Sequence, residues 1–227
     1  MTVEKTREPQ YQCQVDYRGK YGLTTLGLVT NQLWHDDPRH LCFLLSRYKF
    51  VAKMLSGKNK VLEVGCGDAF GTRLVLQEVG ELLAVDFDPV YVRDVNSRMD
   101  EKWKFECKAH DFTESHLEEQ FDAAYSIDVL EHIPQEREHD FIRNIVKCLT
   151  PDGVLILGMP SLASQAHASS YSKEGHVNCK DHKLLEDLML KYFHNVFIFS
   201  MNDEVVHTGF YPMAHYLWAL GVEKRSQ

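Results

Sequence analysis

The sequence lacks long hydrophobic runs. None of its apolar stretches approaches the roughly 20 residues that span a bilayer, and it begins with the charged, polar segment MTVEKTREPQ. This composition excludes a membrane-spanning helix, and the first residues do not resemble a secretory signal. We therefore expect a cytoplasmic protein with no membrane partner.

Paired cysteines and basic clusters are also missing. The six cysteines are scattered without a CxxC pair, which favours reduced, buried thiols over a disulfide framework. The formal net charge is -8, and Lys and Arg are not clustered. Nucleic acids are bound largely through neutralised phosphates, so we expect no nucleic-acid partner.

What is present is a repeated alternation of apolar runs and helical stretches. The 227 residues, 44% of them hydrophobic, are enough for one core and predict a single domain, 1-227. Helical spacing predicts a helix over about 38-55, capped by Asp37 with Pro38 at its first position. Buried strands separated by helices then indicate an α/β fold with a parallel sheet covered on both faces. The last two strands read as a β-hairpin, so the final strand should run antiparallel.

Glycines and acids fall where the predicted strands end. Gly65 and Gly67 follow the first strand, Asp86 ends the second, Asp111 follows the third, and Ser126 ends the fourth. Ligands of open α/β sheets bind beyond these carboxyl ends. A carboxylate about 20 residues after a glycine loop can accept both hydroxyls of a ribose. The pattern predicts a nucleoside site.

Two features argue against a dinucleotide. The glycine spacing is G-x-G-x-x-x-G, so Phe70 stands where a third glycine would pack near a pyrophosphate. Several acids surround the loop and would repel a diphosphate, whereas they would attract a cationic nucleoside such as S-adenosylmethionine. Asp88 precedes Pro89 and is expected to cap the next helix.

The ordered segments VLEVGCGDAFG, AVDFDP, KAHDF, FDAAYSIDVLEHIP and LTPDGVLILGMP resemble the motifs of class I S-adenosylmethionine-dependent methyltransferases. The resemblance implies a Rossmann-like, seven-stranded, mostly parallel sheet with helices on both faces and an antiparallel last strand. It also implies S-adenosylmethionine as cofactor and S-adenosylhomocysteine as product. The cofactor core would be 59-160, with 1-37 as an N-terminal lid and 161-183 as an acceptor-side insertion. By resemblance, Asp86 would bind the ribose. The other residues expected to contact the cofactor or shape its loop are Glu63, Gly65, Cys66, Gly67, Phe87, Asp111, Phe112 and Ser126.

Histidines are candidates for removing a proton from an acceptor. His132 follows the fourth strand, and His167 and His176 lie in the polar insertion; each could act as a general base, and His132 could equally be a structural, helix-start histidine. The spacing His176-x-x-Cys179-x-x-His182 has ligand-like chemistry, but without a second cluster we expect no metal.

The N-terminal and C-terminal segments supply candidate acceptor contacts. Arg18 and Lys20 could bind an anionic acceptor such as a phosphorylated or nucleotide-linked sugar, and Tyr21 is a further candidate acceptor contact. The same segment could instead be a solvated loop. The polar closing segment, which includes His207, could shape the acceptor pocket or form a contact between two copies of the chain, as in a homodimer. These alternatives stay open.

The resulting hypothesis is methyl transfer to a small polar metabolite. We expect the acceptor to be a hydroxyl of a sugar or sugar-nucleotide in carbohydrate or surface-polysaccharide modification, on the strength of the polar insertion. A quinone or natural-product O- or N-methyltransferase is one alternative, and a non-catalytic S-adenosylmethionine-binding module is another.

Overall fold

A computed structural model describes residues 4-226 of the chain. Its centre is an eight-stranded sheet with the order β3-β2-β1-β4-β5-β8-β6-β7. The strands are β1 (Lys60–Val64), β2 (Glu81–Asp86), β3 (Glu106–Ala109), β4 (Phe121–Ile127), β5 (Leu149–Pro160), β6 (Phe193–Asn202), β7 (Val205–His207) and β8 (Tyr216–Lys224). β1 to β5 pair in parallel, and β8 runs antiparallel to both β5 and β6.

Helices cover both faces of this sheet. They are α1 (Gln12–Tyr21), α2 (Leu28–Asp36), α3 (Arg39–Met54), α4 (Thr72–Leu76), α5 (Pro89–Ser97), α6 (Glu138–Lys147), α7 (Ser170–Gly175) and α8 (His182–Met189). α3, α4 and α5 pack on one face, and α6 and α8 on the other, so each face has its own apolar core. Among the described residues, no helix has both the length and the apolar character needed to cross a bilayer.

Alternation along β1 shows how the two cores form. Leu62 and Val64 point into the core under α6, while Val61 points into the core under α3. Successive strand residues face opposite sides, and both sides are buried. Apolar residues on both faces are what a covered parallel sheet requires. The prediction of such a sheet is confirmed.

The strand count and some element bounds differ from expectation. The sheet has eight strands rather than seven, because β7 pairs with the end of β6 in a tight hairpin before the chain reaches β8. Pro38 occupies the cap position of α3, which begins at Arg39 instead of 38. Asp88 caps α5 as predicted, accepting a hydrogen bond from Val90 N at 2.8 Å. The antiparallel last strand is confirmed.

The insertion after β5 is ordered. It contains a short 3₁₀ turn and α7, and a parallel bridge joins Ser161 to Lys180. The Lys180 ammonium lies 2.7 Å from the Glu138 carboxylate, and both side chains are buried. This pair anchors the end of the insertion to α6.

Close packing at Gly71 generates a first prediction. A Cβ there would overlap the ring of Tyr48, although the backbone angles of Gly71 suit any residue. Gly71→Ala should destabilise the protein by about 1–3 kcal/mol, the usual cost of overpacking. Thermal unfolding measures this.

The matched control is Gly19→Ala on α1, where a Cβ meets no atom within 4 Å. It should leave the melting temperature unchanged or slightly higher, because alanine favours helix. Equal melting temperatures for the two variants would contradict the packing argument.

Candidate functional site

The glycine loop after β1 turns sharply at the point where the strand order reverses. Gly65 and Gly67 have φ of 76° and 53°, in the region that favours glycine. A Cβ on Gly65 would also overlap the side chain of Val129, which follows β4. The amides of Gly65 and Cys66 both donate to Val85 O of β2, at 2.8 and 3.0 Å. The loop is thus held between the carboxyl ends of its two neighbouring strands.

Asp86, at the end of β2, shapes this loop directly. One carboxylate oxygen accepts from Gly67 N and the other from Asp88 N, both at 2.9 Å. Burial raises the pKa of Asp86 above its ordinary value, and the two amide bonds oppose this. Each oxygen keeps a second lone pair, so Asp86 can accept further hydrogen bonds from a ligand.

Glu63, on β1, lies beneath the loop with its carboxylate buried. It accepts hydrogen bonds from the Tyr48 hydroxyl at 2.8 Å and the Thr72 hydroxyl at 2.6 Å. Burial raises the pKa of Glu63 to about 7, although both hydroxyls favour the ionised form. These bonds link β1, α3 and α4 under the site.

The other predicted cofactor residues have different surroundings. Phe87 is 72% exposed, which leaves its ring free to cover a ligand. Asp111 accepts from Thr113 through one oxygen, at 2.8 Å from the amide and 2.7 Å from the hydroxyl. Phe112 is buried in the core, and the Ser126 hydroxyl donates to Val64 O at 2.9 Å. Their roles toward a cofactor stay predictions.

Not every acid near the loop faces a ligand. Asp68 is buried and accepts from the amide and the hydroxyl of Thr30, at 2.7 and 2.6 Å, at the start of α2. Asp88 is occupied as the cap of α5. Two of the acids that led us to expect a cationic ligand therefore hold helices, and Asp86 and Asp111 are the carboxylates placed at strand ends.

A partly buried ion pair lies on the other side of the loop, beyond β4. Arg47 of α3 contacts Asp128 at 2.6 Å and stacks on the ring of Tyr216, 4.1 Å from its centroid. Asp128 has φ of 57°, a conformation that Asp tolerates better than most residues. Its second carboxylate oxygen is buried and accepts no hydrogen bond within the described part of the chain.

Glu131, His132 and His176 come together next to this ion pair. Their ligand atoms all lie within 4.8 Å of one another, and the two imidazole rings are 5.1 Å apart. Burial raises the pKa of Glu131 well above its ordinary value, and the nearby Asp128 raises it further. Burial lowers the pKa of His176, and His132 adds to this. Both shifts favour the neutral form of the side chain concerned.

Other residues of the insertion lie apart from this group. His167 is exposed at the end of the 3₁₀ turn, so its role as a base stays a prediction. His182 stacks on the ring of Tyr211 at 4.5 Å. Burial raises the pKa of the Cys179 thiol to about 11. Of His176, Cys179 and His182, only His176 therefore belongs to the cluster with Glu131 and His132.

The candidate acceptor residues of the termini have local partners. Arg18 lies on α1, a helix without buried residues, and its guanidinium pairs with the carboxylate of Glu4 at 2.5 Å. Tyr21 is 60% exposed and packs against Tyr17. Both ring nitrogens of His207 are used within its hairpin, toward Asn202 and Gly209. Contacts of these residues with an acceptor stay predictions.

Sequence reasoning missed Arg47 and Tyr216. Arg47 stands at helical spacing between Leu44 and Val51, so a charge on the inward face was a visible signal. Tyr216 begins the last strand and reaches Arg47 only in the folded chain, and we see no sequence signal for it.

Residues 61–153 match a family model described as a methyltransferase domain. No curated protein matches the chain by sequence. Among solved structures, it is similar to the N-methyltransferase NodS from Bradyrhizobium japonicum WM9 in complex with S-adenosyl-L-homocysteine, at 18% identity and a TM-score of 0.59, over 84% of this chain and 90% of that one.

Two further structures are similar. One is a chain from the complex of the Haloferax volcanii Trm112 methyltransferase activator with a methyltransferase, at 13% identity and a TM-score of 0.68, over 87% of this chain and 96% of that one. The other is the DhpI-SAM-HEP complex, at 16% identity and a TM-score of 0.58, over 90% of this chain and 100% of that one. At these identities the likeness is one of fold.

Glu63 generates a second prediction. Because the folded-state pKa of Glu63, about 7, lies above the ordinary value of 4.5 for a glutamate carboxyl, the folded state binds this proton more tightly than the unfolded state does. This stability is fully present below about pH 4.5 and is lost as pH rises through about 7. Relative to Glu63→Gln, the wild type should lose about 2–3 kcal/mol of unfolding free energy between pH 4.5 and 8.

Chemical unfolding of both proteins at several pH values measures the difference, and the glutamine variant cancels the contribution of other titrating groups. Parallel pH profiles for the two proteins would show that Glu63 ionises normally in the folded state.

Proposed function

We propose that the chain is a class I S-adenosylmethionine-dependent methyltransferase, on the match of residues 61–153 to a methyltransferase-domain model and on its fold. We also propose that it methylates a hydroxyl of a small polar metabolite, a sugar or sugar-nucleotide. The methyl donor is S-adenosylmethionine, and S-adenosylhomocysteine is the product. The chemistry of both sides of the glycine loop supports this proposal.

The donor side offers what a nucleoside needs. Asp86 retains lone pairs for two ribose hydroxyls, and the exposed Phe87 ring beside it can cover an adenine. Gly65 and Gly67 leave the backbone bare, so a ligand can approach closely. We propose that the methionine part of the cofactor lies along this loop and that Asp111 holds the adenine edge.

The polarity of the acceptor side carries the proposal of a hydroxyl acceptor. The region beyond β4 holds the Arg47–Asp128 pair and the Glu131, His132 and His176 cluster. A quinone would fit an aromatic-lined pocket better, because burying these polar groups against an apolar ring would leave them unpaired. A sugar presents several hydroxyls that can pair with them.

Transfer from a sulfonium is an in-line displacement, so the protein must mainly align the acceptor oxygen with the methyl carbon and exclude water. The oxygen bonds to the methyl carbon, the carbon–sulfur bond breaks with its electron pair on sulfur, and the hydroxyl proton must leave. We propose that the cluster of Glu131, His132 and His176 assists this loss of the proton.

The segments on either side of the site would act as covers. α2 is tied to the glycine loop through Thr30 and Asp68, which fits our proposal that residues 1-37 form a lid. The amides of Val177 and Asn178 donate to Glu131 O at 2.8 and 3.0 Å. This contact supports residues 161-183 as the acceptor-side cover.

Cofactor binding gives a third prediction. Asp86→Ala should weaken the affinity for S-adenosylhomocysteine by about 1.5–3 kcal/mol, because hydrogen bonds to a charged group are lost. Isothermal calorimetry measures this. Asp100→Ala is the control, because Asp100 also accepts an amide hydrogen bond, from Lys102 N at 2.8 Å. This variant should bind S-adenosylhomocysteine as the wild type does. Unchanged affinity of Asp86→Ala would remove the ribose role.

Acceptor chemistry gives a fourth prediction. With labelled S-adenosylmethionine, the protein should methylate members of a panel of sugars and sugar-nucleotides in preference to quinols. On the best acceptor, His132→Ala and His176→Ala should each lower kcat by about 100-fold, the usual contribution of assisted proton transfer, with unchanged affinity for S-adenosylhomocysteine.

His116→Ala is the matched control, because His116 also lies near a carboxylate, 3.9 Å from Glu118, but on the loop before β4. A preference for quinols would overturn the sugar proposal. Wild-type turnover in both cluster variants would overturn the role of the two histidines.

A further inference from the structure

Three side chains of different types converge beyond the end of β4. Glu131 and His132 lie in the short turn after this strand, and His176 comes from the insertion 44 residues later. One ligand atom from each lies within 4.8 Å of the other two. Two imidazoles and a carboxylate form a donor set that first-row divalent metal ions bind well.

The Glu131 carboxylate is buried beside the Arg47–Asp128 pair. The residue is 1% exposed, and neither carboxylate oxygen accepts a hydrogen bond from residues 4–226. An unpaired buried carboxylate costs several kcal/mol. Arg47 is near, but its guanidinium contacts Asp128 and stacks on Tyr216. Two carboxylates thus share one guanidinium, and a cation beside Glu131 would balance the charge.

Both imidazoles are hydrogen-bonded in the way that suits a metal ligand. His132 Nδ1 lies 2.9 Å from Gly175 O, and because a carbonyl only accepts, Nδ1 carries the proton. His176 Nδ1 lies 2.9 Å from Gln165 Oε1, an oxygen that also only accepts. In each neutral ring the lone pair is therefore on Nε2. Metal-bound histidines usually have their other nitrogen held by such an acceptor, which fixes the tautomer.

The backbone holds the three side chains in register. Val177 N and Asn178 N both donate to Glu131 O. The part of the insertion that follows His176 is therefore held against the turn that carries Glu131 and His132. Asn178 also donates to Glu138 at 2.9 Å. The donors around a bound ion lie about 3–3.5 Å apart, given bond lengths of about 2.1 Å. Shifts of about 1 Å by the exposed His132 ring would close the remaining gap.

We propose that Glu131, His132 and His176 bind one divalent transition-metal ion, which holds the acceptor hydroxyl for methylation. Three protein ligands leave open positions toward the solvent side, as catalytic metal sites do. A sugar with neighbouring hydroxyls could fill two of them. This proposal replaces our sequence-based expectation of no metal, and its catalytic part rests on the proposed function.

The ion would act as a Lewis acid. It would lower the pKa of a bound hydroxyl, whose O–H bond would break with the proton passing to water, so the histidines would assist the loss of the proton by holding the ion rather than by taking the proton themselves. The oxygen lone pair then bonds to the methyl carbon, and the electron pair of the carbon–sulfur bond stays on sulfur. The sulfonium becomes a neutral thioether, and no oxidant or reductant is needed.

Manganese binding tests the site. Protein freed of metal with a chelator should bind about one Mn²⁺ per chain in calorimetry, with a matching loss of the free-ion signal in electron paramagnetic resonance. Glu131→Gln, His132→Ala and His176→Ala should each weaken binding by about 100-fold or more, since even the loss of a supporting partner costs 10–100-fold. Gln165→Leu, which removes only the acceptor that orients His176, should weaken it by about tenfold. His116→Ala should bind Mn²⁺ as the wild type does.

The outcomes are distinguishable. Wild-type protein that binds no Mn²⁺ at about 1 mM, or cluster variants that bind it as tightly as wild type, would overturn the site. Because Glu131→Gln conserves shape and removes a buried charge, it should fold, and thermal unfolding checks this. Mn²⁺ binding without methylation of any hydroxyl acceptor would sink the proposed function and leave the metal site standing. Methylation that is unaffected by chelation would leave the function and remove the catalytic role of the ion.

Discussion

The buried carboxylate of Glu63 is the interaction around which this structure is arranged. It lies under the glycine loop and accepts hydrogen bonds from Tyr48 of α3 and Thr72 of α4. These bonds fix two helices against β1, and Gly71 must be bare because the Tyr48 ring lies against it. A loop with two left-handed glycines has few side chains of its own to hold it. Its shape therefore depends on the polar contacts beneath it.

From this centre the acidic groups divide into two kinds. Asp68 and Asp88 hold the first turns of α2 and α5, and Glu63 is proton-binding near neutral pH, so none of these offers a full free charge to a ligand. Asp86 both supports the loop and retains capacity for a ligand. Negative charge beside the glycine loop is thus local and directional, and it is concentrated at Asp86 rather than spread over all the acids near the loop.

Sequence reasoning succeeded where the signal was local. Buried strands such as β1 and β4 are mostly apolar on both faces, so their sequences directly predict a covered parallel sheet. Gly65 and Asp86 could be predicted as site residues because they stand at the ends of predicted strands. The failures are contacts between distant residues. Arg47 meets Asp128 across 81 positions, and His176 meets His132 across 44. β7 has three residues and is half exposed, so it has no apolar run to reveal it.

Under the proposed function the site has a donor half and an acceptor half, and the two halves differ in how they are built. The donor half consists of strand ends and a loop fixed by β1, β2 and Glu63. The acceptor half is assembled from the turn after β4 and the insertion, joined by the bonds of Val177 and Asn178 to Glu131 O. Because the second set of contacts does not include the glycine loop, the insertion can change in sequence without disturbing cofactor geometry. Under the proposed function, the cluster of Glu131, His132 and His176, which lies where these halves meet, would act on the acceptor while the loop holds the methyl group in place.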